Sequence, residues 1–135
     1  MRVVVDTNTI ISSFFYPNSI PRKAFDHARK NGTLIVTLDT FDELVSVLYR
    51  KKFDKYGVQG VRKEFIETFI KEVERVAVLE FITACKDPKD DKFLEAAIAG
   101  NADVIITGDK LLKELDPFRG IKIISPADYL DTYSV

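Results

Sequence analysis

The chain has 135 residues, 46% of them hydrophobic, which suffices for one ordinary core in a single domain over residues 1–135 without disulfides or a structural metal. Its 20 basic and 21 acidic side chains nearly cancel, so a strong global basic field is excluded and any nucleic-acid contact has to come from local patches. One cysteine, Cys85, and one histidine, His27, exclude an internal disulfide and a Cys/His zinc cluster, and a reducing, cytoplasmic setting is expected.

The apolar opening Val3-Val4-Val5 stops at Asp6, too short for a signal peptide core or a membrane span. Arg2 to Val5 carries no polar alternation and predicts a buried strand. Ile10, Ile11, Phe14 and Phe15 predict a short helix, and Pro17 and Pro21 bracket a turn. Ala24, Phe25 and Ala28 follow on a helix that Asn31-Gly32 stops, before a strand over Leu34 to Val36.

Asp39 is placed to cap a helix bearing Phe41, Leu44, Val45 and Leu48, with Arg50, Lys51 and Lys52 at its basic C-terminal end. Gly57 and Gly60 mark a break, and apolar residues from Val61 to Val73 keep a helical period. Val76 to Ile82 is expected as a third strand. The turn Lys86-Asp87-Pro88-Lys89 leads to a helix with Leu94, Ala97 and Ile98 inside, ended by Asn101. Val104 to Ile106 predicts a strand with Gly108-Asp109 at its exit; Ile121, Ile123 and Ile124 predict another, before a short helix over Ala127 to Leu130.

Strands that alternate with helices and lack hairpin signals imply right-handed crossovers, hence an α/β fold with a mostly parallel sheet and helices on both faces. Such sheets bind ligands beyond the carboxyl ends of their strands, where the strand order reverses. Asp6 and Asp109 each follow a strand and reach one crevice if those strands are central neighbours. Glu43 and Asp91, each near the start of a helix, can project toward the same edge. Carboxylates so gathered repel one another and take up protons unless a hard cation compensates them, which points to Mg²⁺ or Mn²⁺. Either ion polarises a phosphodiester and acidifies a bound water without a histidine base.

Asp6-Thr7-Asn8-Thr9-Ile10-Ile11-Ser12 resembles the opening motif of PIN-domain proteins. Asp90-Asp91-Lys92-Phe93-Leu94-Glu95-Ala96-Ala97 resembles their acidic-helix motif, and Thr107-Gly108-Asp109 their late Thr-x-Asp element. The likeness runs nearly end to end and is closest to the VapC-like branch of toxins from toxin–antitoxin pairs. It implies a three-layer α/β/α PIN-like fold around about five strands, and metal-dependent hydrolysis of RNA at an acidic two-metal-type site. It places Asp6, Glu43, Asp91 and Asp109 at the four acidic positions, as catalytic residues and metal ligands, with Asn8 and Thr107 as supporting polar residues. A cognate antitoxin protein and a homodimer are further implications.

Between the adjacent Asp90 and Asp91, spacing to Leu94 and Ala96 selects Asp91, and Asp90 and Asp87 are taken as helix caps. Asp39 and Asp42 are taken likewise beside Glu43. Arg22-Lys23, Arg29-Lys30 and the stretch Arg50-Lys51-Lys52 are candidate RNA contacts, with Phe53 or Tyr56 available to stack on a base. The plainer role of a basic stretch after a helix is to compensate the helix dipole. His27 is expected on the surface and Cys85 as an unactivated thiol. The competing function is a catalytically silent PIN-fold module for RNA binding or assembly. A dehalogenase-like phosphatase would need an acid where Asn8 stands.

Overall fold

The computed structural model describes residues 1–56 and 59–134. Five strands, β1 (Arg2–Val5), β2 (Thr33–Val36), β3 (Glu74–Arg75), β4 (Val104–Ile106) and β5 (Lys122–Ile124), form one sheet in the order β3-β2-β1-β4-β5. Every pairing is parallel, with Val5 opposite Ile106 across the central β1/β4 pair. The chain builds outward from β1 to β2 and β3, then returns to the other side of β1 with β4. The order therefore reverses between β1 and β4, where the sequence had to place Asp6 and Asp109 for them to meet.

The helices are α1 (Thr7–Phe15), α2 (Ile20–Asn31), α3 (Leu38–Leu48), α4 (Gln59–Glu72), α5 (Asp91–Ala99), α6 (Lys110–Lys113) and α7 (Pro126–Tyr133). Strand side chains alternate between two cores. Val3, Val5, Leu34, Val36, Val104 and Ile106 pack with Ile10, Phe25, Leu44, Leu48, Phe69 and Tyr129 from α1, α2, α3, α4 and α7. Val4, Ile35, Ile105 and Ile123 pack on the opposite face with Phe93, Leu94 and Leu112 from α5 and α6. Helices thus cover both faces of the sheet. Among the described residues no helix is long and apolar enough to cross a membrane.

Local chemistry corrects several expectations. Thr37, not Asp39, caps α3: its hydroxyl accepts from Thr40 N at 3.2 Å while Thr40 Oγ1 accepts from Thr37 N at 2.9 Å, a reciprocal capping box. That helix ends at Leu48, so Lys51 and Lys52 lie in a separate 3-10 turn, Lys51–Tyr56. Gly60 falls in the first turn of α4, while Gly57 and the side chain of Tyr56 lie outside the described residues. Gly32 stops α2 with extended backbone, and glycine is needed there for space: a Cβ would stand 2.2 Å from the Met1 carbonyl oxygen. Asn101 follows α5 with φ 51°, the left-handed position that asparagine tolerates.

The strand expected over Val76 to Ile82 is absent, and β3 precedes it. Val76 N donates to Val36 O at 2.9 Å, and the ladder ends there. Beyond it the backbone is held by carboxylates of α5. Glu95 accepts from Ile82 N at 2.9 Å, and Asp91 accepts from Ala84 N at 3.1 Å and Cys85 N at 2.8 Å. Side chains do here what a neighbouring strand does elsewhere.

Candidate active site

Asp6 leaves β1 with its amide donating to Ile106 O at 3.0 Å, so the β1/β4 ladder continues to the carboxylate itself. It caps α1, with Oδ1 accepting from Thr9 N at 2.9 Å, and its other oxygen accepts from the Thr107 hydroxyl. Thr107, with no exposed surface, in turn accepts from Asp109 N at 3.0 Å. One buried hydroxyl therefore fixes the spacing of two carboxylates that follow neighbouring strands. Burial raises the Asp6 carboxyl above the ordinary range; hydrogen bonds from Thr107 and Thr9 oppose this and Asp109 adds to it. Asp109 caps α6 through Leu111 N at 2.8 Å and Leu112 N at 3.2 Å.

Glu43 arrives from α3. One oxygen accepts from the Thr7 hydroxyl at the start of α1, the other from Lys92 Nζ at 2.7 Å in the first turn of α5. Asn8 is exposed and lines an open cleft of about 540 Å³ together with Asp6, Ser12, Gly108 and Asp109, walled by the first turns of α2 and α7.

The two adjacent aspartates of α5 are engaged differently from what spacing suggested. Asp91 is turned to the segment before the helix; burial acts to raise its carboxyl, but hydrogen bonds from Cys85 and Ala84 outweigh it and hold it low. Asp90 makes no cap hydrogen bond, and its buried Oδ2 has no hydrogen-bond partner. Its carboxyl is pushed up to about 6 by burial first, then by Asp109, Asp87, Asp6 and Glu43. Asp90 therefore lies within the electrostatic reach of the other acids, and capping falls to Asp87, which accepts from Lys89 N at 3.0 Å.

Among the described residues no group of three or more His, Cys, Asp or Glu side chains stands ready-made to hold a metal ion. Glu43 and Asp91 are drawn onto donors of the chain itself. The donor chemistry still fits a hard cation: the donor groups of Asp6, Glu43, Asp90 and Asp109 are all oxygens, and one of these oxygens is buried without a partner.

Other candidates are redistributed. Arg22 pairs with Asp26 at 3.0 Å, and Arg29 with Asp26 and Glu72 at 3.1 Å each, so those two arginines brace α2 instead of standing free for phosphates. Phe53 stacks on Phe15 with ring centroids 4.5 Å apart and is not a free platform for a base. Arg50, Lys51 and Lys52 are exposed. His27 Nδ1 lies 2.8 Å from the hydroxyl of buried Tyr129, tying α2 to α7, a contact that the sequence did not signal. The Cys85 thiol is pushed up to about 12, by burial and then by Asp91, which leaves it unreactive. Lys92 and Thr7 were missed, although both lie inside the motifs that carry the resemblance.

Asp6 and Asp109 stand beside the switch point of a parallel three-layer α/β/α sheet, the edge where such sheets take ligands. The PIN domain family model matches residues 2–111, and the chain belongs to that family. An uncharacterized protein of Methanocaldococcus jannaschii is 30% identical over 126 residues, covering 91% of this chain and 81% of that relative. Among solved structures, VapBC2 from Rickettsia felis bound to a DNA fragment from their promoter matches with a TM-score of 0.61 at 15% identity, over 93% of this chain and 98% of that one. VapBC-1 from nontypeable Haemophilus influenzae matches with a TM-score of 0.60 at 19% identity, over 94% and 99%. At these identities the likeness is one of fold.

Proposed function

We propose that residues 1–135 form one PIN nuclease domain, an endoribonuclease that hydrolyses RNA phosphodiester bonds with Mg²⁺ or Mn²⁺. The unpartnered Asp90 oxygen in the neighbourhood of Asp6, Glu43 and Asp109 carries this reading, because such a carboxyl is relieved either by holding a proton or by a cation, and only the cation leaves it ionised at neutral pH. Asp6, Asp90 and Asp109 would hold the ion, with Glu43 beside them. Bound there, it would polarise the phosphodiester and acidify the attacking water. Asp91 leaves the ligand set and positions the loop before α5.

The chain's own groups do the rest. Thr107 holds Asp6 and Asp109 in register, Thr7 orients Glu43, and Asn8 offers an exposed amide to a ribose or phosphate in the cleft. Arg50, Lys51 and Lys52 supply the local positive charge for the RNA backbone. The fold it shares with VapBC complexes supports a toxin restrained by a cognate antitoxin protein; a homodimer and a cytoplasmic setting belong to the same reading.

Cleavage of a labelled mixed-sequence RNA by wild type and Asp6→Asn, in Mg²⁺, Mn²⁺ and excess EDTA, tests it. Fragments from the wild type alone, lost in EDTA, are expected. Equal cleavage by both proteins removes Asp6 from the chemistry; cleavage by neither favours the silent RNA-binding or assembly module, in which Lys92 permanently neutralises Glu43.

A further inference from the structure

We infer that Lys92 is itself the second cation of the acidic centre, so that the site takes one divalent ion beside a fixed ammonium rather than two ions. This rests on the metal-dependent reading above. Asp6, Glu43 and Asp109 all raise the Asp90 carboxyl through their charge, so these four acids share one electrostatic neighbourhood beside the switch point. Among the ion pairs of the described residues, the pair that touches any of the four is Lys92 with Glu43, at 2.7 Å.

The pair is built in from both sides. Lys92 lies between Asp91, whose carboxylate is tied to the Ala84 and Cys85 amides, and Phe93, which is 3% exposed in the core, so its stem leaves a helix turn that cannot roll. Glu43 is fixed at its other oxygen by Thr7, the residue next to Asp6. Both side chains are 24% exposed, which removes much of the solvent that weakens surface pairs.

The consequence is an asymmetric site. At the Glu43 end both carboxylate oxygens are engaged and the charge is already compensated. At the Asp90 end an oxygen is buried with no partner. A divalent ion is therefore drawn to Asp6, Asp90 and Asp109, and meets beside it a positive charge that the chain supplies. In a two-cation centre the second cation stabilises charge on the phosphate as the bond to the leaving oxygen breaks. A held ammonium can supply that stabilisation electrostatically, with no reorganisation at the moment of reaction.

Calorimetric titration of the whole chain with Mn²⁺, in wild type, Lys92→Met and Lys92→Arg, tests the assignment without reference to cleavage. Wild type and Lys92→Arg are expected to bind one ion each. Lys92→Met, which keeps the stem but exposes Glu43 as an uncompensated ligand, is expected to bind two. Two ions in the wild type, or one in Lys92→Met, would overturn the role of Lys92 and leave the metal site standing. No ion in the wild type would overturn both.

Discussion

Successive residues on a helix point about 100° apart, so Asp90 and Asp91 at the start of α5 cannot serve the same neighbours. Asp91 accepts two amide protons from the preceding loop, whereas Asp90 lies within the electrostatic reach of other carboxylates. Opposite phenotypes follow. Asp91→Ala orphans the Ala84 and Cys85 amides, costs about 1–3 kcal/mol in urea unfolding, and keeps metal-dependent cleavage. Asp90→Asn is expected to lower cleavage by about a hundredfold or more, the scale on which one preorganised charge acts. The reverse pattern would return the ligand role to Asp91. Asp90 also sets a pH dependence. Its folded carboxyl titrates at about 6 against an ordinary 3.8, so the folded chain keeps the proton that the unfolded chain has lost. The favourable contribution is complete below about 4 and is lost as pH rises through about 6. In metal-free protein Asp90→Asn should therefore be the more stable at pH 7, by about 1 kcal/mol after allowing for solvent screening of a half-exposed group. The difference should vanish near pH 4, and a constant difference across that range would show that Asp90 is not the strained acid.

At the scale of elements, periodicity located what packs and failed where side chains replace packing. Runs such as Val104 to Ile106 and helices such as α4 were legible because burial on a sheet or against it imposes a period of 2 or 3.6. Val76 to Ile82 has strand composition but lies beyond the ladder, and its anchor is Glu95, distant in sequence, which composition cannot show. The strand exits holding Asp6 and Asp109 were readable from chain order. The choice between Asp90 and Asp91 was not, because it depends on where the preceding loop presents its amides. Gly32 shows the same limit. Its position as a helix stop was evident, but its reason is the close pass of β1: Thr33 N donates to Met1 O at 2.9 Å, and a side chain at residue 32 would collide with that carbonyl. Gly32→Ala should force β1 and β2 apart at their first pairing and cost about 1–3 kcal/mol in unfolding midpoint terms. A neutral result would mean that the amino-terminal end of β1 yields freely and does not hold Asp6 in register from behind.

For the whole molecule, a net charge of −1 sets the problem of how an acidic cleft meets a polyanion. On the proposed nuclease reading, the centre would accept a phosphate only once cations are in place, so the initial hold on RNA would come from elsewhere on the surface. Arg50, Lys51 and Lys52 are exposed where the chain leaves α3, the helix that carries Glu43 in its second turn. From Glu43 to the helix end at Leu48 is roughly 8 Å at helical rise, and Arg50 to Lys52 follow within the next four residues, near enough for one single strand to touch both. The same three residues also follow a helix C-terminus, where basic side chains need no ligand. Salt dependence distinguishes the two roles. If the stretch contacts phosphates, replacing all three by alanine in an Asp6→Asn background should weaken single-stranded RNA binding about a hundredfold near 0.1 M salt. The slope of log affinity against log salt should then flatten by about 2, at roughly 0.7 for each lost contact. If the residues only compensate the helix dipole, the slope stays as it was and the unfolding midpoint falls instead, which would move the search for the RNA path to the Asn8 side of the cleft.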